Sequence, residues 1–131
     1  MMTIRILLVD DNPGFLAATR RFLHTLPAIQ VVGEARNGQD ALFKTALLQP
    51  DLVLLDISMP GLSGLEVARR IKSWTEPPAI AFLSMNSGDA YHAATRELGL
   101  LGFLEKSKLA TELPVIIARL LTTTLVTEAA C

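Results

Sequence analysis

The stretch Leu52-Val53-Leu54-Leu55-Asp56 constrains the fold more than any other part of the chain. Four consecutive apolar residues, bounded by Gln49-Pro50-Asp51 before and Met59-Pro60-Gly61 after, predict a short strand buried on both faces. Such a strand needs cover from two sides, which calls for helices above and below a central sheet. The run also drives straight into a carboxylate. Burying an unpaired carboxylate costs several kcal/mol, roughly, or forces it to protonate. Asp56 must therefore lie at the open end of its strand or have cations around it.

At 131 residues the chain is expected to form one domain with a core large enough to need no disulfide or metal staple. Half of its residues are hydrophobic and 19% are charged, a balance that excludes disorder. The net charge is -1 and no Lys/Arg cluster alternates with aromatics, so no nucleic-acid surface is expected within these residues. The single cysteine, Cys131, has no partner in the chain and reads as an incidental thiol in a reducing compartment. Met1-Met2-Thr3-Ile4-Arg5 lacks the layout of a signal peptide. No apolar run approaches the roughly 18 residues that cross a bilayer. The expectation is a soluble cytoplasmic protein.

Strand and helix patterns alternate five times. Ile4 to Val9 predicts a buried strand ending in Asp10-Asp11-Asn12-Pro13, with Asn12 or Asp11 capping a helix that starts at Pro13. Phe15, Ala18, Phe22, Leu23 and Leu26 recur at helical spacing until Pro27. Gln30 to Ala35 alternates poorly and predicts an edge strand. Asn37-Gly38 opens a second helix ended by Pro50, and the strand to Asp56 follows. A third helix is expected from about Ser63 to Trp74, and Ala79 to Ser84 forms another buried strand. The fourth helix, Asp89 to Leu98, is expected to be capped by Ser87 and closed by Gly99. It is alanine-rich and the most weakly anchored. Gly102 to Lys106 predicts a short strand before a last helix from near Glu112, with Pro114 in its first turn, fading into Thr122-Thr123-Thr124. The fold class is α/β, a doubly wound parallel sheet. His24 and His92 read as surface or half-buried residues, and Trp74 as a packing residue at a helix end.

Ligands of such sheets bind beyond the carboxyl ends of the strands. Those ends carry Asp10-Asp11, Asp56, Ser84 and Lys106. Three crowded carboxylates repel one another and raise each other's pKa unless a cation joins them. Few oxygen ligands with room for water suit Mg²⁺. With a Lys on one flank and a hydroxyl on the other, these are the parts of phosphoryl transfer to a carboxylate.

In order and spacing, Ile6-Leu7-Leu8-Val9-Asp10-Asp11, Leu54-Leu55-Asp56-Ile57-Ser58-Met59-Pro60-Gly61, Ser84 and Gly102-Phe103-Leu104-Glu105-Lys106 resemble the receiver domains of two-component response regulators. Met59 to Glu66 and Leu83-Ser84-Met85 resemble the subfamily that usually precedes a LuxR-type helix-turn-helix domain. The resemblance implies a five-stranded sheet in flavodoxin-like order 2-1-3-4-5, with a receiver domain over residues 1–125 and a tail over 126–131. It implies that Asp56 accepts a phosphoryl group from a histidine kinase or phosphotransfer protein. Asp10, Asp11, Asp56 and the Ser58 carbonyl would hold Mg²⁺, Lys106 would pair with phosphoryl oxygens, and Ser84 would hydrogen-bond the phosphate. Phe103 would be the aromatic that changes rotamer with Ser84. Ser58, Met85 and Asn86 would tune dephosphorylation, Met85 by narrowing water's approach.

Ser107 stands where many receivers carry a proline after a cis bond; before Ser a cis bond would cost about 3 kcal/mol, and none is expected. Leu121 to Cys131 is too short for an effector domain, so the chain is expected to be a stand-alone receiver or a piece of a longer regulator. It would have no diffusible substrate, and would signal or form a homodimer through its fourth helix, fifth strand and fifth helix. Two other classes fit less well. A phosphatase with Asp56 as nucleophile commonly places a second carboxylate two residues on, where this chain has Ser58. A flavodoxin-like cofactor carrier would have its nucleotide phosphate repelled by Asp10-Asp11.

Overall fold

The computed structural model describes residues 3–85 and 89–130, the side chains of 89, 90 and 123–130 excepted. Strands and helices alternate as β1 (Ile4–Val9), α1 (Pro13–His24), β2 (Ile29–Ala35), α2 (Gly38–Leu48), β3 (Leu52–Asp56), α3 (Gly64–Lys72), β4 (Ala79–Ser84), α4 (Asp89–Glu97) and β5 (Gly102–Glu105). A 3-10 turn (Lys106–Lys108) and α5 (Leu109–Ala130) complete the chain's order. All strand pairs are parallel, and the sheet order is β2-β1-β3-β4-β5. Strand order reverses direction between β1 and β3, so the crevice for a ligand opens beyond their carboxyl ends.

Successive side chains of a strand point to opposite faces. Ile6, Leu8, Leu52, Leu54, Leu83 and Leu104 pack on one side with Leu16 and Leu23 of α1 and Leu113 and Ile116 of α5. Leu7, Val9, Val53, Leu55, Ile80 and Phe82 pack on the other with Ala41 of α2 and Val67, Ala68 and Ile71 of α3. Cover on both faces is why β3 reads as an unbroken apolar run, with Leu52 to Leu55 at 0% exposure. The same alternation carries the functional residues. Asp10 lies two residues past Leu8, Asp56 two past Leu54 and Lys106 two past Leu104. All three therefore continue the α1/α5 row, Asp56 as the last residue of β3 and Asp10 and Lys106 just past the ends of β1 and β5, with Leu8 and Leu54 already paired in register.

β2 is an edge strand, as its irregular pattern implies. Its pairing with β1 shifts between Ile6–Val31 and Leu7–Gly33, which leaves Val32 as an extra residue. One inserted residue breaks the two-residue period.

The helix termini correct several expectations. The inner face of α1 is Leu16, Thr19 and Leu23, whereas Ala18 is exposed. α3 stops at Lys72, short of Trp74, and Ser63 is its cap, accepting the Glu66 N–H at 3.2 Å. α4 ends at Glu97, with Gly99 at φ +67 just beyond, a conformation glycine adopts without penalty. Its expected cap, Ser87, lies outside the described residues. α5 begins at Leu109 rather than near Glu112, continues past Thr124 to Ala130, and holds Pro114 in its interior. Pro114 removes one hydrogen bond, to the carbonyl of Ala110. Both residues are exposed, so water can satisfy that carbonyl, and the buried row Leu109, Leu113, Ile116 and Leu120 holds the helix to the sheet.

Candidate functional site

Asp10 and Asp56 are held in the same way. Each has one carboxylate oxygen that accepts the backbone N–H two residues on, Asn12 to Asp10 Oδ1 at 2.9 Å and Ser58 to Asp56 Oδ1 at 3.1 Å. This local turn fixes each carboxylate where its strand ends. The second oxygens converge on one cation: Lys106 Nζ lies 2.6 Å from Asp10 Oδ2 and 3.4 Å from Asp56 Oδ2. Asp11, which is exposed, completes an acidic cluster in which one oxygen from each of Asp10, Asp11 and Asp56 lies within 4.8 Å of the others.

One ammonium does not offset this crowding. Asp56 is 3% exposed, and its pKa is raised from 3.8 to about 6, chiefly by burial and then by the charge of Asp10. Lys106 and the Ser58 N–H pull it down and only partly succeed. That rise corresponds to roughly 3 kcal/mol against the ionised form. Burying Leu52 to Leu55 contributes about 1.5–3 kcal/mol for each side chain, as an upper range. β3 can therefore present a strained carboxylate without losing its place in the sheet.

The backbone of α3 reinforces that presentation. The Gly64 N–H donates to the Ile57 carbonyl at 3.0 Å, and a Cβ built on Gly64 would lie 2.1 Å from the Asp56 carbonyl oxygen. Only glycine lets the first turn of α3 come so close to the end of β3. The oxygen-only donor set, its unneutralised charge and the exposure of Asp11 suit a small hard cation that keeps part of its water shell, as Mg²⁺ does.

Comparison with known proteins decides the family. A model of the response regulator receiver domain matches residues 6–118. The chain belongs to the response regulator receiver domain family. It is 39% identical over 103 residues to the response regulator UvrY of Escherichia coli, a match covering 79% of this chain and 47% of that one. A protein-glutamate methylesterase/protein-glutamine glutaminase of Halalkalibacterium halodurans is 38% identical over 104 residues, covering 79% and 30%. The receiver thus spans about half, or less, of the length of these curated relatives. Among solved structures, the signal receiver domain of a response regulator NarL from Mycobacterium tuberculosis matches with a TM-score of 0.81 at 32% identity, covering 94% and 97%. RcsB of Salmonella typhimurium matches at 0.86 and 27%, covering 94% and 62%.

The receiver's remaining expected site residues lie across β4 and β5. Ser84, 8% exposed, ends β4 and pairs in register with Glu105, while Phe103 pairs with Phe82 two residues earlier. Ser84 and Phe103 follow the opposite strand parity from Asp56 and Lys106, so they belong with the α2/α3 layer. Phe103 is half-buried, and its ring centroid lies 4.3 Å from that of His92 on α4, a partner that helical spacing alone did not mark. Met85 is 75% exposed at the mouth of the site. Asn86 lies outside the described residues. Ser58 and Tyr91 share the wall of an open cleft of about 540 Å³ between the β3–α3 loop and α4. A larger cleft, about 1520 Å³, lies at the opposite edge of the sheet among Asp51, Trp74 and Leu101 and contains none of the expected site residues. Among the described residues there is no cis peptide bond, so Lys106–Ser107 is trans, and no helix is long and apolar enough to cross a membrane.

Proposed function

We propose that this receiver domain is a phosphorylation-dependent signalling switch with Asp56 as phosphoryl acceptor. The convergence of Asp10 and Asp56 on Lys106, at 2.6 and 3.4 Å, is the observation that carries the reading. A carboxylate oxygen of Asp56 attacks phosphorus, an O–P bond forms, and the P–N bond to a phosphohistidine breaks with its electron pair returning to the imidazole. The donor is a sensor histidine kinase or a phosphotransfer protein. Lys106, already beside Asp56, follows the new charge onto a phosphoryl oxygen. The raised pKa of Asp56 makes it a better nucleophile once ionised, and the Ser58 N–H holds its other oxygen in place. Asp10, Asp11, Asp56 and the Ser58 carbonyl would hold Mg²⁺, which supplies charge neutralisation as two anions approach.

Ser84 turns to the phosphate, Phe103 follows it, and the face formed by α4, β5 and α5 changes its contacts with a partner or a second copy of the chain. This is a two-state element biased by a local charge event. Exposed Met85, with Asn86 and Ser58, sets how readily water reaches the acyl phosphate. The domain has no diffusible substrate of its own, makes no direct contact with nucleic acid, and works in the cytoplasm.

Incubation with acetyl phosphate and Mg²⁺, read by intact mass, tests the proposal. One phosphoryl group per chain, lost in Asp56→Asn and without phosphoester turnover, is the expected result. Turnover of phosphoesters would instead make the chain a phosphatase, and no labelling would overturn both readings.

A further inference from the structure

Lys106 has a third neighbour. Its Nζ lies 4.7 Å from the centroid of the Phe15 ring, within the range in which a ring face attracts an ammonium. Phe15 sits in the first turn of α1, where its N–H donates to the Asn12 side chain at 3.1 Å, and its ring is half-buried against the α1/α5 core. One short segment, Asp10 to Phe15, therefore supplies both a carboxylate and an aromatic face to the same cation. The Lys106 side chain is only 10% exposed. A strongly hydrated ammonium is stable in that position because two anions and a ring face replace its water.

The two kinds of contact differ in what phosphorylation does to them. When Asp56 takes a phosphoryl group, the ammonium must leave its place between two carboxylates and find the new oxygens. The ring keeps the cation company through that shift, since a π face attracts it over a range of positions without committing a donor. A methyl-rich side chain of similar volume would fill the space but would not attract the charge.

We infer that Phe15 is a positioning residue for phosphoryl transfer, acting on Asp56 through Lys106. The inference rests on the proposed function above and goes further by assigning a role that neither the acidic cluster nor the lysine implies.

The test compares Phe15→Leu with Phe15→Tyr in the full chain, with far-UV circular dichroism and melting as folding controls. Phe15→Leu is expected to slow labelling by acetyl phosphate and Mg²⁺ about three- to thirtyfold, the range from a partly exposed to a desolvated cation–π contact. Phe15→Tyr, which keeps the ring, is expected to restore the rate. Magnesium affinity, read by titration of amide shifts without phosphodonor, is expected to stay within about twofold in both variants, because the three carboxylates are untouched. In the unphosphorylated protein the ε-methylene protons of Lys106 are expected to show an upfield ring-current shift that survives in Phe15→Tyr and disappears in Phe15→Leu. Equal labelling rates for wild type and Phe15→Leu, or an unshifted Lys106 in wild type, would overturn the inference while leaving Asp56 labelling intact. A wild type that takes up no phosphoryl group would overturn the proposed function and this inference together.

Discussion

The carboxyl ends of β1 and β3 and those of β4 and β5 lie side by side but are built differently. At the first pair, each buried carboxylate has a backbone N–H on one oxygen and a share of Lys106 on the other, with Phe15 behind the lysine. At the second pair, Met85 is exposed, Phe103 is half-buried, and its ring neighbour His92 is exposed on α4. The contrast teaches a division of labour. Chemistry needs groups fixed before reaction, whereas a response needs an element with two arrangements of similar energy. On the proposed function, the buried charge cluster at β1/β3 serves the chemistry, and exposed Met85 and half-buried Phe103 at the other pair serve the response.

The largest expected effect comes from removing the shared cation. Lys106→Met keeps the apolar stem but leaves two buried carboxylates facing each other, and should destabilise the fold by about 3 kcal/mol at neutral pH in urea denaturation. Lys106 holds the Asp56 pKa down, so without it Asp56 takes up its proton at a higher pH, and the cost should shrink as the pH falls toward about 6. An unchanged midpoint would mean that Lys106 does not bind the two strand ends together.

Gly64→Ala tests the backbone support of the same end. Its Cβ would lie 2.1 Å from the Asp56 carbonyl, so α3 must retreat, at a cost of about 2–3 kcal/mol. The retreat should also slow Asp56 labelling. Full stability with full labelling would show that the close approach is dispensable.

Asp56→Asn should go the other way. The folded-state pKa of Asp56 is raised, so the folded protein binds that proton more tightly than the unfolded chain does. Below about 3.8 both states are protonated and nothing is lost. Stability then falls as the pH rises from about 3.8 to 6 and stays lower above that. Replacing the carboxylate should recover about 2–3 kcal/mol at pH 7 and flatten that part of the stability profile. A destabilised Asp56→Asn would contradict charge crowding at the end of β3.

The smallest effect belongs to the loose end. His92→Ala removes one tilted ring contact from the surface and should cost about 0.5 kcal/mol, with Asp56 labelling unchanged. A loss several times larger would mean that α4 is more firmly seated than its contacts imply.

Much of the tight end is legible in the sequence because strand parity is a local rule. Leu8, Leu54 and Leu104 predict where Asp10, Asp56 and Lys106 fall once the sheet is parallel and covered on both faces. The cap at Asn12 and the edge character of β2 follow from equally local signals. What stayed hidden depends on depth between layers. Phe15 reads as one more apolar residue at helical spacing, and only the reach of Lys106 from the end of β5 to Asp10, beside the first turn of α1, brings the ammonium to its ring. Gly64 reads only as an early residue of the third helix, and its closeness to the Asp56 carbonyl is a tertiary fact. The start of α5 was obscured by Pro114, which breaks a helix in isolation but is carried here by the buried row from Leu109 to Leu120.

Backbone hydrogen exchange with and without beryllofluoride and Mg²⁺ tests the central claim most directly, since beryllofluoride stands in for the phosphoryl group on Asp56. Exchange should change across α4 and β5 while the strand amides of β1 and β3 keep their protection. A response confined to the residues around Asp56, with α4 and β5 unmoved, would contradict the account.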